Sequence, residues 1–416
     1  YRAVDGLPPG SWWRVDADGT HKTRHFDVAS VLSPNRLADN RAQYDEAAAV
    51  STLRAAFRQS VDLHLATDAP LAGMCRGGVD SSLIAAFARD RLPDLVGYVA
   101  DVPVGSGEGR QAQAVADHIG MSIRSIPVDR KTWLRNWAVA VAHLDGPAYH
   151  ASEPALLAVT KACHADGIKV LLTGEGADEM FGGYPWYGTT YRRWWRRGLA
   201  SRLGYGRGFP REHLLPLLSS ASGGSFETRL KTLLAVDANR DLAPGILHHK
   251  LSGVGNDAER AFLVACLHDF SGHMAWLLHR HDHMGMAASI EMRVPFIENR
   301  LIDFAIHLPY AGKRRHGRGK WIEKRLAMER LPRRIVLAPK KGFPVPPQYA
   351  RGTERLLLGG RLPDLLGWTE ATTAAVVDGL QHTDRLRLLA VGMELWLQMT
   401  AGGRRRDEMG EPLLAL

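Results

Sequence analysis

Two glycine-rich stretches of this chain carry residue types that could do chemistry. The first, Arg76-Gly77-Gly78-Val79-Asp80-Ser81-Ser82, follows a short apolar run at 71–75 and leads into a segment rich in Ala and Leu. It reads as strand, tight turn and helix. Two glycines there let backbone N–H groups close on an oxyanion without Cβ interference, and the helix aims its positive end at the same point. Ser81 and Ser82 add hydroxyl donors. Asp80 would repel a phosphate unless Mg2+ lay between them, so the set suggests a pyrophosphate–metal site. Alone, it also reads as a Gly-rich turn with a Ser/Asp helix cap.

The second stretch, Gly174-Glu175-Gly176-Ala177-Asp178-Glu179-Met180-Phe181-Gly182-Gly183-Tyr184, follows another apolar run at 168–172. Three acids among so many glycines are costly unless they meet a cation or a substrate. A helix dipole at an acidic N-terminus explains one of them well and three poorly. Asp178 is therefore a candidate second carboxylate for a metal held by Asp80. Glu175 would point into the pocket as a base or orienting group.

The elements that must position these turns follow from periodicity. Apolar runs at 71–75, 95–100, 123–128 and 168–172 read as strands, with helices at 79–89 and 110–119 between them. Strands alternating with helices imply an α/β fold, a parallel sheet with helices on both faces. In such sheets ligands sit at the carboxyl ends of the strands, where both glycine-rich turns lie and can converge. Val50, Leu53, Phe57 and Val61 share one face of a helix at 45–65. Residues 12–26 read as a hairpin around Asp16-Ala17-Asp18-Gly19. Residues 198–225 read as loop, and helical periodicity marks 226–240, 257–280, 299–308, 320–330 and 385–400.

Composition bounds the rest. The chain has 416 residues, 45% hydrophobic and 23% charged, which excludes collagen-like, coiled-coil and disordered classes. Three cysteines (Cys75, Cys163, Cys266) make no disulfide framework and lack zinc-site spacing, so a reducing, cytoplasmic location is the default. No apolar run reaches the roughly 18 residues of a membrane span, so no membrane is expected. The net charge of +9 suits anionic partners. Its arginine clusters, at 192–197, 313–315 and 404–406, are too scattered for the stripe of a nucleic-acid binder.

The turn at 76–82 resembles the pyrophosphate loop of the ATP pyrophosphatases, usually Ser-Gly-Gly-x-Asp-Ser. With 173–184, the segment Asp282-His283-Met284-Gly285-Met286-Ala287-Ala288-Ser289-Ile290-Glu291-Met292-Arg293-Val294-Pro295-Phe296, and Lys340-Lys341-Gly342-Phe343, it resembles the synthetase domain of the asparagine synthetase family. β-Lactam synthetases and lasso-peptide cyclases share that domain. The likeness runs from about 45 to 400, and Leu7-Pro8-Pro9-Gly10 with the hairpin resembles the end of the family's glutaminase domain. It implies a parallel five-stranded sheet of the ATP-pyrophosphatase type flanked by helices, then a mainly helical C-terminal part. It divides the chain into a glutaminase-like remnant, 1–40, and the synthetase domain, 41–416.

The resemblance also implies roles. Cys75 and Ala100 match backbone positions framing the adenine, and Thr173 and Gly174 match the nucleotide contact. Gly77, Gly78, Asp80 and Ser81 match the pyrophosphate loop, Asp80 and Asp178 the magnesium ligands, and Glu175 the proton acceptor near an acyl-adenylate. Lys340, with Lys341 as rival, matches the lysine that stabilises developing negative charge, worth roughly 3–4 kcal/mol by analogy with one oxyanion donor. ATP and Mg2+ are the implied cofactors. The partners are a small-molecule or peptide carboxylate, ammonia or an amine, and a glutaminase domain or subunit; a homodimer is left open. Asp282, Glu291 and Arg293 are expected in a buried ion network, with Met284, Met286, Ile290, Val294 and Phe296 in the core.

The match departs at three places. Arg76 replaces the loop's first Ser; it folds into solvent, clamps phosphate bidentately or obstructs the site. Ser106-Gly107-Glu108 stands where the family commonly has Tyr-Asp-Glu. His150 with Ser152 stands where an acid often precedes the Ser, in a region tied to the carboxylate substrate. The chain opens on Tyr1 and not on the Cys that glutamine-hydrolysing members use, so ammonia comes from a domain outside it or an amine is taken directly. Asparagine synthesis, a β-lactam- or lasso-type ligase, and a catalytically silent subunit are the readings that remain. A tRNA-modifying relative would want a basic groove that the sequence does not show.

Overall fold

In the computed structural model, residues 6–103, 107–148, 150–192, 247, 249–339, 345–401, 403, 413 and 414 are described. The hairpin forms as the turn composition requires. β1 (Ser11–Asp16) pairs antiparallel with β2 (Gly19–Arg24), in register from Ser11 opposite Arg24 to Asp16 opposite Gly19. Short helices α1 (Val28–Val31) and α2 (Pro34–Ala42) follow, each started by a capping side chain, Asp27 and Ser33. The longer α3 (Glu46–His64) buries Val50, Leu53, Phe57 and Val61, the face that the periodicity predicts.

The alternating region is built as expected. β3 (Leu71–Met74), α4 (Val79–Ala88), β4 (Val96–Asp101), α5 (Glu108–Ile119), β5 (Ser122–Pro127), α6 (Arg130–Leu144), α7 (Glu153–Ala165), β6 (Val170–Leu172) and α8 (Ala177–Phe181) succeed one another. A fifth strand, β7 (Glu291–Arg293), comes from the 282–296 segment. The sheet order is β5-β4-β3-β6-β7, every pair parallel. The chain thus builds outward from β3 to β5, then returns to place β6 on β3's other side. The order reverses between β3 and β6, and such a reversal opens the crevice in which doubly wound sheets bind ligands. Both glycine-rich turns leave these two strands.

The packing divides into two units of non-contiguous segments. One comprises Tyr1–Ser60, Glu175–Leu278 and Phe296–Glu329; the other comprises Val61–Gly174, His279–Pro295 and Arg330–Leu416. The second unit holds the whole five-stranded sheet. Its core joins Ala72, Met74, Tyr98 and Leu171 of the strands to Trp133 and Trp137 of α6, Leu156 and Val159 of α7, and Leu388 and Leu395 of the helix Asp384–Thr400. The first unit packs Phe296 against Phe57 and Phe181, with ring centroids 4.9 and 6.3 Å apart. Arg36 of α2 forks onto Asp303, both bonds 2.8 Å long.

Three expectations are corrected. The ion network at 282–296 is not buried. On the edge strand β7 Glu291 is exposed, Asp282 lies on the exposed side of its helix, and Arg293 turns to Glu291 and the backbone oxygens of His64 and Ala66. Met286 is exposed and Val294 half-buried, whereas Met284, Ile290 and Phe296 are in the core. Finally, the stretch Asp257–Met286 is long and apolar enough for a membrane span by length and composition. Core helices pass the same test, and Phe262, Val264 and Cys266 in it are buried. The segments at 198–225 and 226–240 lie outside the described residues, as do Trp194-Trp195 and 404–406.

Candidate active site

At the end of β3 the backbone of Cys75 still donates to Tyr98 of β4, 2.9 Å away, and the chain then breaks into the turn. Gly77 takes a left-handed φ of +76°, and a Cβ there would sit 2.6 Å from the Gln111 backbone. Only glycine fits both demands. The Ser81 hydroxyl accepts from the Arg76 N–H at 3.2 Å, tying the turn to the first turn of α4. Gly78 caps α4 and, as a glycine, makes no side-chain cap bond to that helix's first N–H groups. Asp80 and Ser81 are buried and Arg76 is half-buried. Burial pushes the Cys75 thiol up to about 11, which suits a small core residue and not a nucleophile.

β6 ends against the same turn. A Cβ on Gly174 would lie 2.9 Å from the Ser81 nitrogen and 3.0 Å from the Asp80 Cβ. The two glycine-rich stretches therefore meet at Gly174, as their strand-end placement predicts. Thr173, 1% exposed, donates its N–H to Arg293 O at 2.8 Å, but its hydroxyl has no hydrogen-bond partner among the described residues. A buried hydroxyl without a partner costs about 1–3 kcal/mol, so the end of β6 is set up for a polar ligand. Ala100, at the end of β4, is buried in the same sheet.

Beyond Gly174 the acidic stretch belongs to the other unit. Glu175 is half-buried; Asp178 and Glu179 open the short α8 and are buried. The loop is close-packed: a Cβ on Gly176 would meet Ile297 at 2.8 Å, and one on Gly182 would meet the Phe262 ring at 2.4 Å. Asp178 is paired with Lys320, Nζ to Oδ1 2.7 Å. Glu179 accepts from the Tyr184 hydroxyl at 2.7 Å. Burial first, then the neighbouring Asp178, pushes the Glu179 carboxyl up to about 8. The same burial raises the Tyr184 phenol.

Lys320 is the side chain at the acidic stretch that sequence reasoning missed. It sits in left-handed backbone, φ +56°, at the start of the helix Trp321–Ala327, where its N–H donates to Phe181 O at 3.0 Å. Left-handed backbone is costly outside glycine and persists where the surroundings over-determine it. Here a Cβ on Gly183 would come within 1.9 Å of Asp178 Oδ1 and 2.1 Å of Lys320 Cε. The Gly317-Arg318-Gly319-Lys320 run was the available signal, but the helical periodicity at 320–330 takes in only its last residue. Lys340 and Lys341 lie outside the described residues, as does Ser106.

A second polar cluster lies at the N-terminus of α7, the end nearer the strands' carboxyl edge. Arg280 Nη1 donates to Ser152 Oγ at 3.0 Å, and that oxygen lies 2.8 Å from His150 Nδ1. Glu153 beside them is 1% exposed; burial pushes its carboxyl up to about 8 against the opposing pull of Arg280. As to a metal, among the described residues no group of three or more His, Cys, Asp or Glu is gathered to hold one. Asp80, buried beside the turn after β3, carries carboxylate oxygens, the donor type that Mg2+ takes.

Comparison with known proteins agrees with this architecture. The asparagine synthase family model matches residues 52–398. The glutamine-hydrolyzing asparagine synthetase 3 of Bacillus subtilis (strain 168) is 26% identical over 381 residues, covering 86% of this chain and 57% of the relative. A putative glutamine-hydrolyzing asparagine synthetase of Mycobacterium tuberculosis (strain ATCC 25618 / H37Rv) is 28% identical over 409 residues, covering 90% and 58%. Asparagine synthetase B of Escherichia coli (strain K12) is 32% identical over 204 residues, covering 45% and 35%. The chain spans less than three fifths of each of these relatives' lengths. With a five-stranded parallel sheet of the ATP-pyrophosphatase type and that family match over most of its length, the chain belongs to the asparagine synthase family.

Proposed function

We propose that this chain is an ATP-dependent amide-forming ligase that adenylates a carboxylate, releases pyrophosphate and passes the acyl group to ammonia or an amine. The observation that carries the reading is the packing of Gly174 on Asp80 and Ser81, which joins the turn after β3 to the turn after β6 at the sheet's reversal point. A carboxylate resists attack by an amine until it gains a good leaving group, and AMP is that group. The N–H groups of the Gly77-Gly78 turn and the start of α4 receive the pyrophosphate. Thr173 and Gly174, with the backbone of Cys75 and Ala100, hold the nucleotide.

Asp80 and Asp178 would hold Mg2+, which when bound offsets the charge of the departing pyrophosphate. Lys320 orients Asp178 through their buried ion pair. Glu175 takes the proton from the attacking amine. Lys340 meets the negative charge that develops on the acyl group. Arg76 adds a second cation at the phosphate end of the turn. Residues 1–40 are the tail of a glutaminase-like portion and 41–416 the synthetase domain, working in the cytoplasm with ammonia delivered from a glutaminase domain or subunit. Aspartate is the first carboxylate to try; the departures at 106–107 and His150 favour a panel that includes larger carboxylates and amines.

The test is release of AMP and pyrophosphate from ATP and Mg2+ with L-aspartate and high ammonium, each omitted in turn. AMP that depends on aspartate supports asparagine formation. AMP that appears only with another carboxylate from the panel moves the chain to a specialised ligase. ATP binding without AMP formation for any carboxylate contradicts the ligase reading and leaves the silent-subunit reading.

A further inference from the structure

The exposed side of the helix His273–Met286 carries an arrangement the candidate active site does not use. His279 and His283 are four residues apart, the spacing that stacks two side chains on one helix face. Their ring centroids are 3.8 Å apart, with the planes inclined at 43°. Arg280, His281 and Met284 on the same turns are buried, so the pair stands on the outer face of a packed helix. His283 Nδ1 lies 2.9 Å from the backbone oxygen of His279. A carbonyl only accepts, so Nδ1 is the ring nitrogen that carries the proton here, leaving Nε2 as the nitrogen open to a metal ion. Donation of one ring N–H to a carbonyl is how metal-binding histidines fix their tautomer and orientation.

We propose that His279 and His283 form a two-imidazole site for one divalent transition-metal ion of the zinc class. Imidazole pairs suit Zn2+, Ni2+ and Cu2+, whereas Mg2+ and Ca2+ prefer oxygen donors. With no third His, Cys, Asp or Glu gathered to the site among the described residues, water completes the coordination. The ion is therefore exchangeable and not a structural centre. Asp282, 71% exposed and 3.9 Å from His283 Nδ1, contributes negative charge nearby without ligating. Bridging residues 279 and 283 clips the helical turn that carries Arg280, whose guanidinium supports Ser152 at the start of α7. The site is independent of the ligase reading.

The test uses the full chain without an affinity tag, freed of metal by EDTA dialysis and titrated calorimetrically with ZnCl2, then NiCl2. The chain has 18 histidines, so single variants are needed to locate the ion. One saturable Zn2+ per chain is expected, with His279→Ala and His283→Ala each lowering affinity at least tenfold. His382→Ala, on an exposed position elsewhere, should bind as the unaltered protein does. Zn2+ should also raise the melting temperature of the unaltered protein and not of the two variants, whose fold is checked by circular dichroism. Absence of saturable binding, or binding that neither substitution weakens, overturns the proposal, as does equal competition by Mg2+.

Discussion

Lys320 Nζ lies 2.7 Å from Asp178 Oδ1, and both side chains are buried. This pair fixes the acidic loop more firmly than its sequence suggests. Gly183 leaves the space that the lysine needs, since a Cβ there would come within 2.1 Å of Lys320 Cε, and Gly319 packs on the same loop, where a Cβ would meet the Gly182 oxygen at 2.1 Å. Breaking a buried pair by removing one partner costs about 3–5 kcal/mol, because the other charge is left uncompensated. Lys320→Met is therefore expected to destabilise the chain by about that much in urea unfolding. A double-mutant cycle with Asp178→Asn should recover a large part of the loss; independent, additive losses would show that the two charges do not interact.

The close approach at Gly174 makes a second prediction. Gly174→Ala drives a methyl group onto the Ser81 nitrogen and Asp80, in backbone that cannot swing away. ATP affinity is expected to fall at least tenfold, with the far-ultraviolet circular dichroism unchanged. Equilibrium dialysis with labelled ATP reads this directly, and retained affinity would separate the β6 turn from the nucleotide site.

Glu175→Gln separates the two half-reactions. Removing a general base costs about 10²–10⁴-fold in the step it serves. Amide formation should drop by that factor while carboxylate-dependent exchange of pyrophosphate into ATP continues. Equal loss of both would give Glu175 a role in adenylation instead.

Glu153 gives a pH prediction. Its folded carboxyl is raised to about 8, mainly by burial, whereas in the unfolded chain it ionises near 4.5. Between those values the folded protein binds the extra proton, so this group's contribution is present below about pH 4.5 and is lost as pH rises toward 8. The slope is at most about 1.4 kcal/mol per pH unit for one proton. Glu153→Gln should flatten the fall in stability between pH 5 and 8, measured by urea midpoints. An unchanged pH profile would mean that Arg280 holds Glu153 ionised.

Much of the fold was legible because its signals are local. Alternation of apolar runs with helical periodicity marks β3 to β6, and the glycines at 77–78 and 174–176 mark the strand ends. β7 was not legible as a strand: three residues at a sheet edge, Glu291-Met292-Arg293, carry no alternation long enough to separate from their surroundings. The buried network expected there failed because Asp282 and Glu291 are exposed beside the buried Met284, Ile290 and Phe296, an in-or-out choice that the short segment's pattern does not encode. At the candidate site, the glycines and acids were visible in their own segments. Lys320 was not, because its importance comes from a pairing across well over a hundred residues of chain with Asp178, which no local pattern encodes. The His279–His283 pair was hidden differently: only the ring geometry and the His283 hydrogen bond distinguish it from surface histidines.

The central claim is that the turns after β3 and β6 form one adenylating site. It is tested most directly by exchange of labelled pyrophosphate into ATP, with Mg2+, across the panel of carboxylates and without amine. Exchange that depends on a carboxylate and is lost in Asp80→Asn is the predicted result. Exchange that no carboxylate supports, in protein shown to bind ATP, would contradict the account.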